Sequence, residues 1–436
     1  MDLLTICSIL LTVSAVFAYL NYRYIKLPTT IGIMVISLAF SLVLVILNKL
    51  GLHTGIDYAR HMLDNIDFNE ALMNGMLAFL LFAGAMHVNL HELLDKKWVV
   101  GLLASVGVIT STFIVGFCSY ILFKIMGFDM PFIYCLLFGS LISPTDPVAV
   151  MGVLKTAGAT KSLETKIAGE SLFNDGVAVV VFLVIFGIAV NGNPVTFESI
   201  GMLFLQEAVG GAIFGFICGW IALQLLKPVD DYQVEVLITL ALVAGGSVAA
   251  AKLHLSAPIA IVVAGLIIGN HGRQDAMTAK TRQHLDTFWE LIDEILNAVL
   301  FLLIGFEIIA TTFGYKQLSA GLILAVLVLG ARFIAVGIPV TLLKMREDFH
   351  PHVIKILTWG GLRGGISVAL ALSIPAGPQR DLIVAVTYII VVLSILLQGL
   401  TIQRLVAFAS RESEADTLVA RNTTDASGHT TPGDPT

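Results

Sequence analysis

Residues 143–147 read Ser-Pro-Thr-Asp-Pro, and residues 169–176 read Gly-Glu-Ser-Leu-Phe-Asn-Asp-Gly. Each stretch lies inside an apolar segment of about 20 residues, a length that can cross a bilayer. Pro144 and Pro147 each remove a backbone donor and disfavour helix at the preceding residue. Within a membrane, backbone freed in this way needs a cavity or a ligand. The first stretch therefore predicts a broken helix beside a polar site.

The composition describes a chain built of membrane helices. Hydrophobic residues make up 57% of the 436 residues and charged residues 13%, and the mean hydropathy is +0.91. These values are typical of an all-α, multi-pass membrane protein. We predict about thirteen transmembrane helices, near 3–20, 29–47, 70–88, 98–123, 132–153, 166–190, 199–226, 233–251, 256–270, 287–310, 318–342, 352–373 and 382–405.

Three acidic residues fall within these windows, namely Asp146, Glu170 and Asp175. A charge near the bilayer centre costs at least ~2.5 kcal/mol on insertion scales. The three carboxylates must therefore face partners or a water-filled cavity rather than acyl chains. They are candidate functional residues for that reason.

A second break lies in the twelfth window, where glycines surround Arg363 in residues 360–365. It follows the first break by seven windows, and an odd offset means that the second copy enters the membrane with opposite polarity. This arrangement predicts an inverted repeat with two broken helices crossing in the core. The alternative is that these glycines only permit close helix packing.

The basic residues indicate the orientation of the chain. Most of the 25 lysines and arginines lie in or beside the loops that follow odd-numbered windows, or in the tail. Cytoplasmic loops carry this excess. We therefore expect the N-terminus outside and the C-terminus in the cytoplasm. An odd number of helices agrees with this orientation.

The motifs resemble those of the sodium/proton exchanger family, which are cation/proton antiporters found from bacteria to animal cells. That family pairs a Thr-Asp-Pro break with a following Asn-Asp helix, here residues 145–147 and 174–175. The resemblance extends to residues 169–173 and 360–365, and covers roughly residues 3–405. Together these motifs are far more specific than either one alone.

The resemblance implies a division of the transmembrane domain, residues 1–405. An ion-carrying core is expected at about 98–190 and 318–405, and a scaffold that forms a homodimer at about 3–88 and 199–310. Residues 406–436 are polar and cannot bury enough apolar surface to fold, so we expect a short disordered cytoplasmic tail.

Asp175 is the first candidate for the ion and proton carrier. A carboxylate can hold either a hard cation or a proton, and protonation abolishes the charge that attracts the cation. Ser171 lies four residues earlier on the same helical face, so its hydroxyl can add a neutral oxygen ligand. The alternative for Ser171 is a hydrogen bond to its own helix.

The first break can supply further Na+ ligands near Asp175. Asp146 and Thr145 offer carboxylate, hydroxyl and freed carbonyl oxygens, and in the resembled family this aspartate acts indirectly, through water, and this threonine through its main chain. A structural cap for the half-helix after Pro147 is the alternative for Asp146. Asn174 is expected to bridge the broken helices, and in the family an asparagine here accompanies electroneutral exchange more often than an aspartate does.

Glu170 needs a cationic partner, because a lone buried carboxylate is costly. The family places an ion pair between the motifs that contain Glu170 and Arg363. Arg332 in the eleventh window is the competitor. We prefer Arg363 and leave Arg332 open.

One departure from the family concerns Ala83, where many members carry an acidic ligand. Its absence makes the site less negative, so ion affinity and selectivity do not transfer from the family. His87 nearby is interpreted as a hydrogen-bonded residue at a helix end rather than a pH sensor. A polar group in the tenth window is assigned a structural or entrance role and kept out of the site: Glu290, Asp293, Glu294 and Asn297.

These observations predict a secondary active antiporter, not an enzyme, that exchanges Na+ or Li+ for H+, contributes to pH homeostasis and needs no organic cofactor. No nucleic-acid partner is expected. A K+/H+ antiporter and, less favoured, a cation channel are the alternatives. An intramembrane aspartyl protease would also use two aspartates, but it does not explain Glu170, Ser171 and the repeat.

Overall fold

The structure is a computed structural model that describes residues 3–51, 71–147, 150–151, 161–190, 197–272, 277–310, 314–344 and 352–408. The predicted disordered tail lies outside these ranges from residue 409 onward. Helices account for nearly all of the described residues: α1 Leu3–Leu20, α2 Thr29–Lys49, α3 Leu77–His87, α4 Leu90–Asp95, α5 Lys97–Leu102, α6 Val108–Ile125, α7 Phe132–Leu141, α8 Lys161–Ala189, α9 Phe197–Phe204, α10 Gly211–Leu226, α11 Tyr232–Lys252, α12 Ala257–Ile267, α13 Ala279–Ala310, α14 Tyr315–Leu343, α15 Val353–Trp359, α16 Gly365–Leu372 and α17 Pro378–Leu393.

The described helices confirm an all-α membrane protein. Eight of them, some continued through π-helical turns, are long and apolar enough to cross a membrane, and three shorter apolar helices accompany them in the described ranges. Large apolar side chains on outer faces are exposed, for example Phe113, Phe117, Phe216 and Trp220. Such faces suit contact with lipid. The count of thirteen transmembrane helices stays a prediction.

Local sequence signals explain where several helices begin. Asp231 accepts a hydrogen bond from the backbone N–H of Gln233 at 2.9 Å and caps α11. Ser256 caps α12 in the same way, and Pro378 occupies the first position of α17. These residue types satisfy, or do not need, the free N–H groups of a first turn.

The helices pack most extensively within two sets. In one set α13 packs on α2, and α10 and α3 pack on α12. In the other set α7 packs on α6 and α8, and α14 packs on α6 and α17. Small residues permit the closest approach: a Cβ atom at Gly215 of α10 would collide with the carbonyl oxygen of Ala260 in α12. Small residues serve this purpose between membrane helices.

Both predicted breaks are present. Helix α7 ends at Leu141 and non-helical backbone follows through Pro147, while residues 360–364 separate α15 from α16. The two breaks meet, because Asp146 and Leu362 form an antiparallel bridge. Two interrupted helices thus contact each other through their non-helical segments.

Candidate functional site

The contact between the breaks begins with the backbone. The N–H of Asp146 donates to the carbonyl oxygen of Leu362 at 2.8 Å. The Asp146 side chain lies against Gly364, where a Cβ atom would come within 2.5 Å of Oδ2. Glycine at 364 is therefore required for this close approach, and the second break fixes the position of the Asp146 carboxylate.

Arg363 supplies donors to the first break. Its Nη1 donates to the carbonyl oxygens of Ser143 at 2.6 Å and Pro144 at 3.0 Å, and its backbone N–H donates to the hydroxyl of Ser394 at 3.1 Å. The side chain is buried. A buried carbonyl left without a donor would cost about 1–3 kcal/mol. Arg363 therefore satisfies backbone groups in the first break.

The Glu170 partner differs from the expected one. Arg332 in α14 lies 2.5 Å from the Glu170 carboxylate in α8, measured from Nη1 to Oε1, and both side chains are buried. The same guanidinium donates through Nη2 to the carbonyl oxygen of Leu357 at 3.3 Å. The preference for Arg363 is wrong, because that guanidinium is engaged with carbonyl oxygens of the first break. The ion pair joins α8 to α14 instead.

A hydroxyl and amide cluster joins α8 to the first break. Asn174 donates from Nδ2 to the Thr145 hydroxyl at 2.7 Å, and its Oδ1 accepts from the Thr145 N–H at 3.4 Å. The hydroxyls of Thr145 and Ser171 are 3.1 Å apart. All three side chains are buried. Asn174 thus joins α8 to the first break, and the Ser171 hydroxyl lies beside the Thr145 hydroxyl. The role of Ser171 as an ion ligand stays a prediction.

Asp175 is the least satisfied of these polar side chains. It is 6% exposed, and its Oδ1 has no hydrogen-bond partner among the described residues. It lies close enough to Asp146 for the two carboxylates to interact electrostatically. A buried carboxylate in this state requires a proton or a cation.

Asp175 faces a cavity of about 990 Å³ that is also lined by Thr145 and Asp146. Ala83 and His87 of α3 lie on its wall, and the His87 ring is 2.7 Å from the carbonyl oxygen of Ala83, as expected for a hydrogen-bonded helix end. Residues from loops and from the start of α2 also line it. The cavity connects the buried carboxylates to the surroundings of the protein.

Polar residues of α13 form one wall of this cavity, which agrees with the entrance role expected for them: Glu290, Asp293, Glu294 and Asn297. That role stays a prediction. Ser367 in the first turn of α16 lines it as well, and its buried hydroxyl has no hydrogen-bond partner among the described residues. The i, i+3, i+4 spacing of the α13 residues was the available signal. A serine in an apolar helix gave none.

The fold and this site define a multi-pass membrane transporter whose polar residues lie where two broken helices meet. The chain belongs to the sodium/hydrogen exchanger family, because the transmembrane model of that family matches residues 11–408. The family comprises secondary transporters rather than enzymes. The family membership predicted from the motifs is confirmed.

Individual relatives agree with this membership. The chain is 51% identical over 408 residues to the Na+/H+ antiporter NhaP of Pseudomonas aeruginosa, covering 93% of this chain and 96% of the relative. It is 33% identical to the Na+/H+ antiporter NhaH of Halobacillus dabanensis, covering 80% and 86%. The structure of a sodium proton antiporter from Methanocaldococcus jannaschii superposes with a TM-score of 0.71 at 19% identity, covering 94% and 99%. The last likeness supports the fold.

Proposed function

We propose that this protein exchanges Na+, with Li+ as a surrogate, for H+ across the membrane, and that Asp175 carries both ions in turn. The observation that carries the proposal is the buried Oδ1 of Asp175, which lies in a cavity beside Asp146 and has no hydrogen-bond partner in the part of the chain that the structure describes. The names of the relatives, Na+/H+ antiporters, favour Na+ over K+.

Competition at one carboxylate explains coupled exchange. The ionised Asp175 attracts a hard cation, and protonation removes that charge. Asp146 adds a second negative charge at the cavity, and Thr145 offers hydroxyl and main-chain oxygens. Ser171 contributes by orienting the Thr145 hydroxyl or by direct ligation. One carboxylate that binds one cation or one proton makes the exchange electroneutral, and it needs no organic cofactor.

Alternating access requires one part of the protein to move against another. The proposed core, about 98–190 and 318–405, contains both breaks and the Glu170–Arg332 ion pair, whereas the proposed scaffold, about 3–88 and 199–310, contributes the α3 and α13 walls of the cavity. The scaffold would form the homodimer contact. The chain would lie in a bacterial inner membrane with its N-terminus outside and its C-terminus in the cytoplasm.

Proteoliposomes with an entrapped pH dye test this proposal. Addition of Na+ or Li+ outside acid-loaded vesicles should cause proton efflux, and K+ should cause little. An imposed membrane potential should leave the rate unchanged. Absence of cation-driven efflux would contradict the proposal, K+-driven efflux would favour a K+/H+ antiporter, and an uncoupled current would indicate a channel.

The residue assignment is tested in the same assay. Asp175→Asn should abolish exchange, because a neutral amide neither releases a proton nor attracts the cation, while the exposed Asp129→Asn serves as the matched control. Full exchange by Asp175→Asn at normal expression and melting temperature would contradict the assignment.

A further inference from the structure

One face of α13 carries polar residues at both ends and apolar residues between them. Asp293, Asn297, Leu300, Ile304 and Glu307 follow one another at alternating steps of four and three residues. This spacing places all five side chains along one stripe of a helix. Asp293 and Glu307 are each seven residues, or about 10 Å, from Leu300.

The first half of the stripe belongs to the cavity described above. Asp293, Asn297 and Leu300 line it, and no residue of α13 beyond Leu300 does so in the described structure. At Leu300 the helix touches α16: a Cβ atom at Gly365 would lie 2.5 Å from Leu300 Cδ1. Leu300 is thus the last α13 residue on the cavity wall, and it lies at the level of the second break.

The second half of the stripe is buried between the two helix sets. Ile304 is fully buried and Glu307 is 7% exposed. The Glu307 carboxylate lies close enough to the Tyr388 hydroxyl of α17 to act on it electrostatically. Because α17 packs with α14 and α16 while α13 packs with α2, Glu307 lies on the surface between the sets.

The Glu307 carboxylate interacts with neighbouring groups in this state. Its place on the same stripe as Asp293, at the far side of Leu300, is what relates the two acids. A state in which the opposite side of the Leu300 contact is open to water would hydrate Glu307. In that state Glu307 would line a water-filled cavity on the opposite side of Leu300, as Asp293 lines the present cavity.

We propose that Glu307 is the cation-attracting carboxylate of the second access route, the counterpart of Asp293 on the route that is open in this structure. The proposal rests on the alternating access proposed above. When the core moves past α13, the contact that blocks water, now made by Leu300 and Gly365, would form on the other side of Asp175. Each acid then concentrates Na+ near the carrier on its own side.

Sided kinetics in right-side-out and inverted membrane vesicles provide the first test. Glu307→Gln should raise the apparent KM for Na+ roughly three- to ten-fold on the side opposite the present cavity mouth, with the maximal rate and the other side unchanged. Asp293→Asn should raise it on the mouth side only. Equal changes on both sides, or no change for Glu307→Gln, would overturn the proposal.

Thiol accessibility separates an access role from a purely structural role, because a residue that stays buried throughout turnover should not be modified. In a chain whose four cysteines, Cys7, Cys118, Cys135 and Cys218, are replaced by serine, Glu307→Cys should react with a membrane-impermeant thiol reagent from the side opposite the mouth during Na+/H+ turnover. The buried Leu303→Cys is the matched control and should stay unmodified. Absence of modification at position 307 in a variant that still exchanges would overturn the inference alone, whereas absence of exchange in the wild-type chain would overturn the proposed function.

Discussion

The two breaks have similar geometry and different chemistry. The first, residues 143–147, is broken by prolines and presents Thr145 and Asp146 to the cavity. The second, residues 360–365, is broken by glycines and presents Arg363 to the carbonyl oxygens of the first. The two interrupted segments therefore differ in what they contribute to the site. The first contributes candidate ligands and the second holds the first in place.

The largest expected effect concerns the ion pair between Glu170 and Arg332, which lies outside both breaks. Glu170→Gln or Arg332→Gln alone strands a buried charge and should cost roughly 3–5 kcal/mol of stability, measured as a lower melting temperature in detergent. The double variant should recover much of this loss. Arg363→Gln should couple to Glu170→Gln more weakly than Arg332→Gln does, because the Arg363 guanidinium donates to carbonyl oxygens of the first break. Stronger coupling of Glu170 to Arg363 than to Arg332 would contradict this division.

Gly364→Ala tests whether the second break positions Asp146. The new methyl group would collide with the Asp146 carboxylate and should cost roughly 1–3 kcal/mol and most of the exchange rate. Gly330→Ala is the control, since a Cβ atom there meets nothing within 4 Å. Normal exchange by Gly364→Ala would show that Asp146 has room to move without loss of function.

Variants at Thr145 test whether its hydroxyl contributes to Na+ affinity, and the expected effect is smaller. Thr145→Val leaves the Asn174 amide without its acceptor and should weaken apparent Na+ affinity about five-fold, equivalent to ~1 kcal/mol. Thr145→Ser keeps the hydroxyl and should stay close to the wild type. Equal Na+ affinity in both variants, measured in the proteoliposome assay, would remove the hydroxyl from the site.

Ala83→Glu has the smallest expected effect and adds an acid to the α3 wall of the cavity. Ala83 lines the cavity, so a carboxylate there should strengthen Na+ binding at alkaline pH. A second negative charge near Asp175 also favours the protonated carboxyl, so the activity profile should shift to higher pH. Profiles across pH at several Na+ concentrations check this. No change in either quantity would mean that position 83 does not act on the site.

Much of this arrangement is readable in the sequence. Prolines around Thr145 and glycines around Arg363 predict the two interruptions, because their effect on a helix is local. Three acids within apolar windows predict a cavity, because the bilayer leaves a carboxylate few alternatives. The fold and the family follow from these local signals, and both are confirmed.

The sequence does not show which charged side chains pair with each other. Arg332 and Arg363 both lie within membrane windows, and sequence gives no measure of which guanidinium reaches Glu170 and which reaches a carbonyl. The position of Asp293 on the cavity wall depends on how α13 rotates against the core, which is a property of packing. The split into core and scaffold and the count of thirteen helices stay predictions.

One carboxylate, Asp175, is proposed to hold either Na+ or H+. This competition can be measured as proton release from the purified, detergent-solubilised protein in weakly buffered solution titrated with Na+. The wild-type protein should release protons stoichiometrically and saturably, Asp175→Asn should release none, and the exposed control Asp129→Asn should match the wild type. Undiminished Na+-induced proton release by a folded Asp175→Asn protein would show that another group exchanges the two ions.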